Sequence, residues 1–339
     1  MNIMITGGAG GIGSTLALLL TNKGHKVNAV DNFNNGYMEN LFEDGKQFCD
    51  VTPLDIRETQ KLVELIDFDK TDVIIHLAAL TSLPECESDP TECISVNVAG
   101  TASVLHAARL KNNKVIVAST SAIYEHNNPA LAPFTEEADV SPRLMYPLSK
   151  KMMEEVIESY ITNYDMDITT LRFFNVFGPR QDIHRKSPPL INFIVREVAA
   201  GRPITFFSDG YQQRDYIHVD DVVDMIERCL PSHERTRGQT FNLCSGTLTS
   251  VKDIIGWAKD AFDTDFNYTF IPAKNYWSEY NNLHYGINTL DKSVIEREVN
   301  KYALGSFIKA YKMIGWDPNR NIRNLMIDTM RKNYEHYSK

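Results

Sequence analysis

The segment MNIMITGGAGGIGSTLALLL constrains this chain more than any other. Five of the seven residues from Gly7 to Gly13 are glycine, set between an apolar run at 2–6 and an apolar helical run from Ile12. Each glycine costs roughly 0.5–1 kcal/mol relative to alanine in regular structure, so the cluster marks a place where other side chains do not fit. A strand, a glycine turn at Gly7, Gly10 and Gly13, and a helix N-terminus together offer backbone N–H groups and a positive dipole end to a pyrophosphate. The helix is expected over 12–22, with Gly24 as its stop. A second strand, 27–31, then ends on Asp31, 18 residues after Gly13. A carboxylate there accepts hydrogen bonds from the adenosine ribose hydroxyls and repels a 2′-phosphate, which selects NAD over NADP.

Further strand-like runs at 72–79, 114–120 and 168–174 alternate with amphipathic helical patterns. That alternation predicts an α/β fold: a Rossmann-type doubly wound parallel sheet in 1–178. After Gly178 the pattern loosens around Pro188, Pro189 and Pro203, so a smaller mixed α/β C-terminal lobe for the substrate is expected over 179–339. No apolar stretch is long enough for a membrane span, and the short apolar start runs straight into glycines, unlike a secretory signal. A cytoplasmic protein with no membrane partner is expected. The five scattered cysteines form no CxxC and no His/Cys spacing for zinc, so free thiols and no metal are expected. A formal charge of −9 argues against nucleic acid as a partner.

A second constellation lies in SPRLMYPLSKKMMEEVIESY, where Tyr146 and Lys150 are four apart and share a helix face. A phenol of pKa about 10 is a poor base at neutral pH, but a nearby ammonium and an oxidised nicotinamide ring favour its phenolate. Such a tyrosine takes a proton from an alcohol. VIVASTSAIY supplies a buried strand ending in Ser119, Thr120 and Ser121, hydroxyls suited to holding that alcohol.

With HLAA (76–79), NVAGT (97–101), LRFFNVFGPRQ (171–181), DGYQQRDYIHVDD (209–221), FNLCSG (241–246) and IGWDP (314–318), the chain resembles the extended short-chain dehydrogenase/reductase family. The likeness is to its nucleotide-sugar epimerase and dehydratase branch, nearly end to end. It implies that segments within about 209–246 return to the NAD-binding domain. It also implies that Gly7, Gly10, Gly11, Ile12 and Gly13 cradle the NAD pyrophosphate, that Asp31 and Asn32 hold the ribose, and that Asp55 and Ile56 flank the adenine. Leu77, Ala78, Ala79, Asn97, Ser119 and Phe173 would complete the dinucleotide site, with Lys150 on the nicotinamide ribose. Thr120 and Tyr146 take the catalytic positions. Ser82 and Ser121 would meet the sugar, Phe174 the nicotinamide beside the substrate, Asn175 a phosphate, and Thr205 to Phe207 the nucleobase. Arg214 would bind the diphosphate, for which a charge-assisted donor is the requirement.

Sugar 4,6-dehydratases of this branch carry Asp and Glu directly after the catalytic threonine, and the uronate decarboxylases a Glu in the second position. Here those residues are Ser121 and Ala122. The resemblance therefore implies epimerisation at C4 through a transient 4-keto sugar, with UDP-hexoses or UDP-N-acetylhexosamines as substrates and a homodimer built on a four-helix bundle. A 4-ketoreductase, another epimerase of the same family and a non-catalytic dinucleotide binder are the rivals. Glu279 stands about where the branch has a second diphosphate arginine, with Lys274 as a candidate substitute. The stretch 293–313 reads as an insertion, forming a surface helix or, as the alternative, a lid or an altered sugar pocket. Tyr285 or Gly286 aligns with the residue that gates N-acetylated sugars, and Glu125 replaces a common glycine. His76 reads as a packed core residue and His218 as a joint between the lobes.

Overall fold

The computed structural model describes residues 1–124, 132–231, 233–284 and 287–337. Strands β1 (Asn2–Thr6), β2 (Lys26–Asp31), β3 (Asp50–Pro53), β4 (Val73–His76), β5 (Lys114–Thr120), β6 (Ile168–Phe173) and β7 (Thr240–Leu243) form one parallel sheet. Their order is β3-β2-β1-β4-β5-β6-β7. Strand order reverses direction between β1 and β4, and the crevice outside the carboxyl ends of those strands is where such a sheet binds a ligand.

Helices α1 (Gly11–Asn22), α2 (Thr59–Asp69), α3 (Thr101–Lys111), α4 (Met145–Tyr164), α5 (Leu190–Ala199) and α6 (Val219–Cys229) follow in chain order. The two-residue period of β1 sorts its side chains between two cores. Ile3 and Ile5 pack with Leu16 and Leu20 of α1 and Val222 and Ile226 of α6. Met4 turns to the other face, against Leu62 and Ile66 of α2, Val104 and Ala108 of α3, and Met153 and Ile157 of α4.

Strand β4 ends at His76, three residues short of the run expected over 72–79. The amides of Leu77 and Ala78 leave the ladder for the carbonyl and hydroxyl of Thr6, which draws Leu77 and Ala78 over the glycine turn. The exposed edge strand β3 carries no apolar period and was not expected.

The strand Gln213–His218 pairs in parallel with Asn175–Phe177 and antiparallel with Leu248–Ser250, while Ile204–Phe207 pairs with Tyr268–Ile271. A third core joins α5 to α7 (Val251–Phe262) and to the helix Ile322–Tyr337 through Ile194, Ile254 and Met326. Buried Asp215 ties this region together, accepting hydrogen bonds from the amides of Ser245, Gly246 and Gly305 and from the Ser245 hydroxyl.

The expected surface helix at 293–313 is not what forms. The chain makes α8 (Lys292–Val299), a buried connection, and α9 (Ile308–Ile314), with Ala303 bridged to Arg214 and Gly305 to Phe134. Ile295 and Ala310 are fully buried. Gly305 permits the close passage, since a Cβ there would lie 2.5 Å from Phe174 and 2.6 Å from the Cys244 sulfur. The five cysteines are free thiols.

Candidate active site

A cleft of about 1060 Å³ opens over the carboxyl ends of the sheet and is closed on its far side by residues of 182–216, 251, 271–279 and 298–299. Its floor begins at the glycine turn. Gly7 has φ +71°, and a Cβ there would stand 2.7 Å from the Ala78 amide nitrogen; one on Gly13 would stand 2.2 Å from the Gly7 carbonyl oxygen. On Gly10 a Cβ would meet only that same oxygen, at 3.4 Å, so this position is open. No side chain caps the N-terminus of α1, and Gly10, Gly11, Ile12 and Gly13 line the cleft there. An uncapped, glycine-floored helix start fits a pyrophosphate.

Asp31 ends β2 with Oδ2 accepting from the Ala9 amide at 3.0 Å and Oδ1 from the Phe33 amide at 2.8 Å. Burial pushes its carboxyl up, and those two amides oppose the shift. Asn32 donates to Asp55 at 3.1 Å, and Arg57 holds the Asp55 carboxyl down at about 2. These residues, with Ile56, Leu77, Ala78 and Ala79, all line the same end of the cleft.

Thr120 is the last residue of β5, Tyr146 lies in the first turn of α4, and Lys150 follows one turn on; all three line the cleft. Burial pushes the Tyr146 phenol up to about 12, while the hydrogen bond with Thr120 and the charge of Arg185 work downward. The Lys150 ammonium donates to the Ala118 carbonyl at 2.9 Å. Burial brings Lys150 itself down to about 8, with the Glu154 carboxylate opposing. Glu154 is the hub behind this wall: it accepts from Ser119 at 2.5 Å and from two nitrogens of Arg172, at 3.0 and 2.7 Å. Arg172 also donates to the Tyr124 hydroxyl, which donates to Asn242.

Two expected contacts lie off the cleft wall. Ser121 begins a short 3-10 turn in which the Ala122 amide donates to the Thr120 hydroxyl, and Ser121 does not line the cleft. Asn97 sits in a π-helical turn, Ser95–Gly100, 1% exposed, and is bonded to the Leu80 amide and carbonyl and to Ser149. It fixes the loop after β4 to α4.

Ser82, Phe173, Phe174, Asn175, Thr205 and Phe207 do line the cleft, with Phe207 packed at 4.8 Å on the ring of Tyr276. Arg214 lines it too, but its guanidinium is taken up by the carbonyls of Glu298 and Lys301 and lies 3.8 Å from the Glu298 carboxylate. Glu298 in the last turn of α8 and Lys301 in the buried connection after it provide those acceptors, a pairing with no local signal. Glu279 is on the cleft rim; exposed Lys274 does not line the cleft. Arg185 and Lys186, unremarked in the sequence, do line it. Tyr285, Gly286 and Glu125 lie outside the described residues. His76 is buried between Thr6 at 2.7 Å and Thr101 at 2.9 Å, its ring held neutral with the pKa brought down to about 3 by burial. His218 caps α6 and reaches Thr329 of the C-terminal helix.

Residues 3–244 match the model of the NAD dependent epimerase/dehydratase family. The chain belongs to that family. Its cofactor is NAD, and the glycine turn and Asp31 fit it. A UDP-glucose 4-epimerase of Mycolicibacterium smegmatis is 35% identical over 75% of this chain and 80% of its own length. A UDP-N-acetyl-alpha-D-glucosaminuronate decarboxylase of Bacillus cytotoxicus is 32% identical over 74% of this chain and 77% of its own length. In fold, the UDP-glucose 4-epimerase of Thermotoga maritima, solved with UDP-glucose, superposes with TM-score 0.83 over 100% of this chain and 99% of that one, at 24% identity.

Proposed function

We propose that this chain is an NAD-dependent UDP-sugar 4-epimerase. The observation that carries the reading is the meeting of Tyr146 and Thr120 at the end of β5, beside the dinucleotide floor, with Ser121 and Ala122 in place of the acid and base that elimination needs. Thr120 and Tyr146 bracket the C4 hydroxyl. Tyr146 accepts its proton as the C4–H bond breaks and returns it when the carbonyl is reduced. NAD bound along the glycine turn supplies the hydride acceptor at C4 and the donor when the opposite face of the 4-keto sugar is presented. Lys150, which donates to the Ala118 carbonyl, would bond the nicotinamide ribose once NAD is bound. Residues 1–178 with the return near 209–246 serve NAD, and 179–339 mainly the nucleotide sugar. The aromatic pair Phe207 and Tyr276 suits a nucleobase, and uracil is the base in the relatives above.

The same reading makes the chain a cytoplasmic homodimer in which α3 and α4 pair with those of a second copy, where Leu110 and Tyr164 lie half exposed. Among the described residues no helix is long and apolar enough to cross a membrane.

The test is proton NMR of UDP-glucose, UDP-galactose and their N-acetyl and uronate forms, each incubated with the purified protein and no added NADH. Appearance of the C4 epimer supports the reading. Absence of the epimer, with added NAD reduced one for one as the C4 alcohol is oxidised to a ketone, would replace it with a 4-ketoreductase running in reverse.

A further inference from the structure

We infer that Glu87, a residue outside the cleft, positions the Tyr146 base by capping α4 from another element, an inference that rests on the epimerase reading in which Tyr146 exchanges the C4 hydroxyl proton. Tyr146 is the second residue of α4, in the turn whose amides find no acceptor within the helix. The chain next to it offers no cap. Leu144 precedes the helix with an apolar side chain, and the first turn holds no acidic residue. The acceptor comes instead from 58 residues upstream, where Glu87 Oε1 takes the Met145 amide at 2.5 Å. A carboxylate at this end also meets the positive pole of the helix, so the bond is charge-assisted.

Glu87 is itself held in place. It belongs to the short helix Leu83–Ser88, whose Leu83 packs into the same apolar cluster as Leu144, the residue before α4. The amide of Asp89 closes that helix on the Glu85 carbonyl, and the Asp89 side chain caps the next one, Pro90–Ile94, by accepting from the Glu92 amide at 3.0 Å. Ser88 donates to Asn282 Oδ1 at 3.2 Å and Asn282 Nδ2 returns a bond to the Ser88 carbonyl at 3.1 Å, which ties the helix to the turn Asn281–Leu283. The other side of the base is fixed separately: the Tyr146 carbonyl accepts from the Ser149 hydroxyl at 2.7 Å, and Ser149 accepts from Asn97 at 2.9 Å.

The Tyr146 main chain is thus bracketed, with Glu87 on the peptide before it and Ser149 on its own carbonyl. Leu83 and Pro84 line the cleft, whereas Glu87 does not, so Glu87 is a positioning residue and touches no reacting atom. Without its carboxylate the first turn of α4 loses its cap, and a base misplaced by about 1 Å costs about 100-fold in rate.

The experiment measures kcat, KM, the C4-deuterium isotope effect on kcat, melting and the calorimetric Kd of NAD for the wild type, Glu87→Ala, Glu87→Gln and Glu87→Asp, with the UDP-sugar that the wild type epimerises fastest. Glu87→Ala should lower kcat at least about tenfold while KM and the NAD Kd stay within about twofold. Its isotope effect should be no smaller than that of the wild type, because the slowed step is the one that breaks the C4–H bond. Glu87→Gln, whose amide oxygen still accepts from Met145, should keep kcat within about threefold. Melting that falls in Glu87→Ala while kcat and the isotope effect hold at wild-type values overturns the inference, since a cap that only stabilises the fold gives that pattern. So does a loss of NAD binding in step with kcat, an isotope effect that drops toward one, or a glutamine variant as slow as the alanine one. If Glu87→Ala does not fold, Glu87→Asp decides: it keeps the charge and withdraws the acceptor by one methylene, kcat should fall at least about threefold, and an unchanged kcat overturns the inference. A wild type that epimerises no UDP-sugar refutes the epimerase reading and this inference with it; a wild type that does, with Glu87→Ala at full rate, refutes the role of Glu87 alone.

Discussion

Lys150→Met should stabilise the nucleotide-free chain while abolishing its activity. Lys150 is 3% exposed, and the protein holds its ammonium against the Ala118 carbonyl and the Met153 sulfur. Burial lowers its pKa from 10.5 to about 8. The folded chain therefore binds this proton less tightly than the unfolded chain. Where only the unfolded form is protonated, from roughly pH 8 to 10.5, stability rises with pH; below that window the full penalty remains. A shift of this size corresponds to about 3 kcal/mol at pH 7, of which about 2 kcal/mol is gone by pH 9.5. Methionine has a similar length and no charge to desolvate, and it loses only the bond to Ala118, worth about 1 kcal/mol. Urea unfolding of both proteins at pH 7 and pH 9.5, with bound nucleotide removed, reads the difference directly. The variant should lead at pH 7, by a margin about 2 kcal/mol wider than at pH 9.5. A gap that does not change with pH would refute the claim that a desolvated ammonium without a carboxylate partner lines this cleft.

Three other substitutions probe separate parts of the account. Gly13→Ala drives a methyl group to 2.2 Å from the Gly7 carbonyl oxygen, so calorimetry should show NAD binding lost and melting should show a cost of about 1–3 kcal/mol. Asp31→Ala removes the acceptor at the end of β2 and should weaken NAD at least about tenfold while narrowing its margin over NADP, as read by nucleotide titration. Asp215→Asn leaves at least one of the four donors at the lobe junction without its acceptor, and should cost at least about 2 kcal/mol in urea unfolding.

What the sequence disclosed and what it hid divide by range of interaction. The strand, glycine turn and first helix were legible because 2–22 carries its own period and its own conformational signals. The Tyr146 and Lys150 face was legible because four residues is one helical turn. Where the ammonium of Lys150 points was not, since its partner, Ala118, comes from another element. Arg214 is expected at the diphosphate, but the carbonyls that hold its guanidinium could not be foreseen, since they lie some 85 residues downstream in the stretch 293–313. That connection is buried because Gly305 lets it pass over Phe174 and Cys244, a tertiary fact with no local period. Ser121 looked like a member of a hydroxyl row; the turn that starts at it breaks the strand alternation. Arg185 was invisible for the reverse reason. It lies in an irregular loop, and the Thr81 hydroxyl it bonds arrives from a distant part of the chain.

The most direct test of the central claim is to follow the hydrogen on C4. UDP-sugar carrying deuterium at C4 is incubated with catalytic amounts of the protein and no added NADH, and the epimeric product is analysed by NMR and mass spectrometry. Oxidation and reduction at one carbon, inside one closed site, predict an inverted product that keeps its deuterium at C4. Loss of that deuterium to solvent, or its appearance in nucleotide released at a rate matching turnover, would contradict the account.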